Sequence, residues 1–117
     1  MISALKSELN LIENKQNACL TSVSRKRKDE IMGELDELTH NANQRARDVK
    51  NLLQSMDQSN KRFLLENKDS SDAKIRCTQY SSLTSKFVEV MNQYKDLQVQ
   101  FKLKNEKQLE RQIKIGM

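Results

Sequence analysis

Three runs of apolar residues recur along this chain at alternating steps of three and four, and no proline interrupts any of them. A stripe with that spacing lies along one face of an α-helix and must be buried against a partner. Proline removes a helical N–H and clashes with the preceding turn, so a chain without one can carry long unbroken helices. The first run is Ile2, Leu5, Leu9, Ile12, Gln16, Cys19 and Val23, which predicts a helix over 2–22. The second is Ile31, Leu35, Leu38, Ala42, Arg45, Val49, Leu52, Met56, Ser59 and Phe63, predicting a helix over 29–64. The third, from Arg76 and Tyr80 through Leu83, Phe87, Val90, Tyr94, Leu97 and Phe101 to Lys104 and Gln108, predicts a helix over 73–113.

The joints between the runs are polar. TSVSRKRK (21–28) reads as a turn, with Ser24 or Asp29 placed to cap the second helix by accepting from its free N–H groups. ENKDSSD (66–72) supplies turn and capping residues before the third. Gly33 costs up to about 1 kcal/mol within a helix but falls in the first turns, where fraying tolerates it. At about 1.5 Å per residue the second and third helices would each span about 50–60 Å. Short connections make successive helices antiparallel neighbours. The chain therefore reads as one all-α domain over 1–117, an antiparallel up-down-up three-helix bundle with long left-handed coiled-coil-like packing. In that layout Val49 falls level with Ile2 and Val90, Ala42 with Leu9 and Leu97, and Leu38 with Ile12 and Phe101. Arg45 falls level with Leu5 and Tyr94. A core-facing guanidinium must escape or pair, and stacking on the Tyr94 ring is one solution.

Little else in the chain supports chemistry. Aromatic residues make up only 4% of it, which is thin for a deep pocket. His40 is the lone histidine and lies on an outer face, without the partners a zinc site needs. Cys19 and Cys77 fall toward opposite ends of the bundle, too far apart for the approach of about 7 Å that a disulfide requires. Neither has a histidine base beside it, so both read as free thiols in a reducing compartment. The two glycines cannot form a phosphate loop, and carboxylates such as Glu34, Asp36 and Glu37 sit among cations on outer faces. The reading is a non-enzymatic protein without cofactor or metal. No run of 18 apolar residues and no secretory leader is visible.

Two features point outward. The net charge is +5, with one basic group in Arg25, Lys26, Arg27 and Lys28 and another in Lys102, Lys104, Lys107, Arg111 and Lys114. An up-down-up layout brings both to the same end, where they could meet anionic lipid. Interspersed Glu106 and Glu110, and the lack of an aromatic stacking platform, weigh against nucleic acid. The second feature is a pair of mild apolar edges beside the core stripes. Val88 and Met91, continued by Thr84, Lys95 and Gln98, form one; Met32, Thr39, Ala46 and Leu53 form the other. An amphipathic fourth helix could lie between them. Alternatively these residues only widen the seam against the first helix; periodicity does not say which edge faces it.

The run IRCTQYSSLTSKFVEVMNQY (75–94), closed by LERQIKI (109–115), resembles the third helix of the syntaxin N-terminal domain, plasma-membrane type. Thr78, Gln79, Ser82, Leu83, Lys86, Phe87, Val88, Glu89, Val90, Met91, Tyr94, Arg111 and Gln112 match that pattern in order. GELDELTHNANQRARDVKNLL (33–53) is similar to its second helix more loosely. The resemblance implies the regulatory bundle of a Qa-type SNARE, which folds back on the SNARE helix that follows it and contributes to binding of an SM-family regulatory protein. It implies a groove between the second and third helices, with Leu53, Thr84, Val88, Met91 and Lys95 as candidates. It also implies a role at the cytoplasmic face of the plasma membrane, with other SNAREs met through the full-length protein. The SNARE motif, the C-terminal anchor and the short N-terminal SM-binding peptide of that family are expected outside this chain. Ser85 stands where several relatives carry a basic residue.

Three readings therefore compete. The first is an autoinhibitory interaction module, monomeric in isolation. The second is a basic helical scaffold that binds anionic lipid through Arg25–Lys28. The third is a coiled-coil oligomer in which the helices pair between chains.

Overall fold

The computed structural model describes the backbone of residues 1–115 and the side-chain surroundings of residues 1–108. Among the described residues there are three helices and no strand: α1 (Ile2–Thr21), α2 (Arg25–Glu66) and α3 (Ser71–Ile115). Turns of a few residues join them, all three pairs of helices pack together, and the result is an antiparallel three-helix bundle. It measures 72 × 20 × 16 Å.

The second helix starts four residues earlier than expected. Arg25–Lys28, read from composition as part of a turn, form the first turn of α2. The reason is local: Ser24 is extended (φ −85°, ψ 123°) and its Oγ accepts the Arg27 N–H at 3.3 Å. Such a cap is worth about 1 kcal/mol. It works against four cations lying at the positive end of the helix dipole, each unfavourable by about 0.3–1 kcal/mol when exposed. No acidic residue in that turn offsets them. Burial of Ile31 (1% exposed), less than two turns further on, anchors the same end. The third helix likewise begins at Ser71 instead of residue 73, because Ser70 Oγ accepts the Ala73 N–H at 3.2 Å. At the end of α2, the Asn67 backbone N–H and side-chain amide both donate to the Phe63 carbonyl, at 2.9 and 3.1 Å. Both bonds fall on one carbonyl of the last turn, where the helix end leaves acceptors free.

The core is built where α1 is present. Leu5, Leu9, Ile12, Cys19, Ile31, Leu35, Ala42 and Val90 form one buried cluster, flanked by half-buried Leu38, Tyr94, Leu97 and Phe101. Gln16 is buried within it and donates its amide to Gln98 at 3.4 Å. Arg45 does reach the core level, but it does not stack on Tyr94. Its Nε donates to Glu8 Oε1 at 2.7 Å, while the Tyr94 hydroxyl donates to Asn43 Oδ1 at 2.9 Å. A carboxylate on α1 lies within reach and offers a charge-assisted bond, which outweighs what a partly exposed ring can supply. The guanidinium that does lie over a ring is Arg76, 4.0 Å from the Phe63 centroid at the far end.

Beyond the start of α1 the bundle continues as an α2–α3 hairpin. There Leu64, Leu65 and Ile75 are exposed, Phe63 and Tyr80 are half-buried, and Ala73 is buried.

Candidate functional site

On the side of the bundle away from α1, α2 and α3 leave a shallow trough of about 470 Å³. Its floor is Ala46, Phe87 and Met91, all half-buried side chains packed against the core cluster. Asn43, Arg47 and Lys50 of α2 complete the lining. These α2 positions repeat at steps of three and four just off the core stripe, which is why they share one flank of the helix. Asn43 is tied to α3 through the Tyr94 hydroxyl, so one wall is fixed by an inter-helix bond. Arg47 and Lys50 are exposed cations, and none of their neighbours in the lining is acidic.

The residues picked from the sequence distribute unevenly around this trough. Met91 lines it. Val88 is half-exposed (50%) and Lys95 exposed, both flanking Met91 on the outer side of α3. Thr84, two turns from Met91, is half-buried with its hydroxyl oxygen buried and lacking a hydrogen-bond partner. Leu53 is 8% exposed and belongs elsewhere. It lines a second hollow with Met1, Ile2, Val49, Met56 and Leu83, where the start of α1 meets the two long helices. The companion of Met91 on α2 is thus Ala46, a member of the same mild edge one heptad earlier. Arg47 and Lys50 were missed because a charge on an outer face looks the same whether or not it borders a trough. Their spacing around Ala46 was the available signal. Gln98, placed on the groove edge from its heptad position, turns inward and joins the Tyr94 hydroxyl at 3.3 Å and the Gln16 amide.

The basic end is also organised by α3. Lys28 Nζ donates to Gln108 Oε1 at 2.5 Å, and Gln108 Nε2 donates to the Leu20 carbonyl at 2.8 Å. These bonds fasten α3 to the α1–α2 turn and bring Lys107 close to Lys28, whereas Lys104, one turn earlier, lines a cleft with Gln16, Asn17 and Leu20 of α1. Arg27 lies 3.4 Å from Glu30, whereas Arg25 and Lys26 are exposed. The side chains of Arg111 and Lys114, assigned to the same group, lie outside the described residues, as do those of the matched pair Arg111 and Gln112.

Cys19 is buried, and burial pushes its thiol pKa up, offset in part by the Lys28 charge. Cys77 is exposed on α3, and both are free. Among the described residues no group of histidine, cysteine, aspartate or glutamate side chains is arranged to hold a metal ion. None of the described helices is long and apolar enough to cross a membrane. Among the described residues, the α2–α3 side carries an apolar-floored trough with cations along one side. The family model described as Syntaxin matches residues 1–116 of this chain.

Proposed function

Because this chain belongs to the syntaxin family, we propose that it is the regulatory bundle of a SNARE protein and that its α2–α3 trough receives the SNARE-motif helix of the full-length molecule. The observation that carries this reading is the floor of the trough. Phe87, Met91 and Ala46 pack on the core yet remain only half-buried. An amphipathic helix with apolar residues at i, i+3, i+4 and i+7 would cover them and complete a fourth position in the bundle. The cations Arg47, Lys50 and Lys95 favour an occupant with acidic residues beside its apolar stripe.

In this role the bundle withholds the SNARE helix from other SNAREs, and the closed pair presents a composite surface to an SM-family protein. The process served is vesicle fusion in exocytosis at the plasma membrane, with the bundle on its cytoplasmic face. An isolated bundle is monomeric, since its core is completed within one chain.

The test is a titration of the isotopically labelled domain with a Qa-type SNARE-motif helix, read by amide chemical shifts. Shifts confined to Asn43–Lys50 and Thr84–Lys95 are expected. Met91→Glu or Ala46→Glu should weaken binding at least about tenfold, the scale of a lost apolar contact plus a desolvated charge. Thermal stability should hardly change, because both side chains are at the margin of the core. Shifts centred on the α1–α3 face, or none at high helix concentration, would count against closure by the bundle alone.

A further inference from the structure

We infer that the end of the bundle formed by the α1–α2 turn is a contact surface for an anionic membrane. Three observations meet there. Val23 projects from the turn fully exposed, although it is an apolar side chain at the tip of a three-residue link. Directly behind it, Arg25, Lys26, Arg27 and Lys28 occupy the first turn of α2, with their charges added to the positive end of the helix. Lys107 joins them from α3, next to Gln108, which is bonded to Lys28 and Leu20.

Acidic counter-charges at this end are few. Glu30 is engaged with Arg27, and Asp29 and Glu106 stand on α2 and α3. The arrangement concentrates like charges of which only Arg27 and Lys28 find partners within the chain, and it sets a solvated valine beside them. A lipid surface resolves both features together. Its head groups neutralise the cations, and its interface takes up the valine. Nucleic acid would need bases stacked on aromatic rings, and the nearest ring, Phe101, is packed against the core.

The proposal is independent of the trough, which lies on the flank of the bundle. The experiment is co-sedimentation of the 117-residue chain with vesicles of phosphatidylcholine, alone or mixed with phosphatidylserine. Binding is expected only with phosphatidylserine present and should fall as salt is raised. Each basic residue near such a surface contributes about a fivefold gain in partition. Replacing Arg25, Lys26, Arg27 and Lys28 together by glutamine should therefore lower partition by several hundredfold. Glutamine favours helix about as well as lysine or arginine, so circular dichroism should remain helical. Val23→Ser should lower partition severalfold at constant charge. Met91→Glu should leave it unchanged.

Partition that survives the four glutamines overturns the proposal. So does a loss of vesicle binding on Met91→Glu, which would place the contact on the trough. Equal affinity for a single-stranded oligonucleotide, with Val23→Ser affecting neither ligand, would assign the cations to nucleic acid instead.

Discussion

The three-helix section and the α2–α3 hairpin share one heptad chemistry but bury it to different extents. Around α1, Leu5, Ile12, Ile31 and Cys19 are almost completely enclosed. In the hairpin, Phe63 and Tyr80 occupy equivalent stripe positions and stay half-buried, while Leu64, Leu65 and Ile75 face solvent. The difference is geometrical. Two helices in contact cover only a narrow strip of each other, whereas a third closes the wedge between them and excludes water from all three stripes. Stability should therefore be concentrated in the half that contains α1, with the hairpin held through α2 and α3 as extensions of it.

The sharpest way to break this comparison is a pair of truncations. Ile12→Ala in the closed section should cost about 2–5 kcal/mol, the range for deleting an enclosed branched side chain. Phe63→Ala removes more atoms but from a half-open site, and should cost only about 1–2 kcal/mol, the Arg76 contact included. Chemical denaturation of the two variants measures both. Equal costs would mean that the hairpin is as closed as the rest of the bundle.

Ion pairs offer a second contrast. Arg45 and Glu8 meet at 2.7 Å with Glu8 only 17% exposed, whereas Lys61 and Asp57 meet at 3.0 Å on the hairpin surface. Arg45→Ala leaves a largely buried carboxylate without its cation. It should cost about 1–2 kcal/mol, reduced from the fully buried range because Arg45 itself reaches solvent. Lys61→Ala should stay within about 0.5 kcal/mol. A double-mutant cycle on each pair separates the interaction from the loss of side-chain packing.

A small stabilising change is the most informative about coupling. Gly33 lies in α2 within the closed section, and a methyl group there would meet nothing within 4 Å. Gly33→Ala should stabilise that section by about 0.5–1 kcal/mol by reducing the freedom of the unfolded chain. Amide hydrogen exchange then reports where the gain appears. Slower exchange across α2 to Phe63 would show the two sections opening as one unit. A gain limited to the closed section would show the hairpin opening by itself.

The architecture was legible from residue spacing, and the details that failed did so for identifiable reasons. Three heptad stripes, two polar joints and no proline suffice for an antiparallel three-helix bundle. The start of α2 was misplaced because a basic run looks like a turn in composition, while a single serine oxygen accepting the Arg27 N–H decides the boundary. Arg45 was found at core level, but its partner was not. The spacing indicates that Arg45 points inward, yet it carries no information on which flank of α2 meets α1 and which meets α3.

The candidate site divides along the same line. Met91 could be picked because it stands beside the core stripe of α3. Leu53 and Ala46 are heptad equivalents on α2, indistinguishable by periodicity. They separate only because Leu53 lies level with the start of α1 and is sealed by it, whereas Ala46 borders the open side.

The sequence by itself thus determined the helices, their order and their antiparallel course. Those properties follow from local propensity and from the need to bury each stripe. The tertiary structure decided which side of the α2–α3 pair α1 occupies. It thereby decided which positions along the half-apolar edges were covered and which line the trough, and that Glu8 would meet Arg45. Helical periodicity is symmetric with respect to the handedness of a three-helix bundle. The choice is made by the summed packing of many side chains across three interfaces, and it becomes visible only when all three helices are in place.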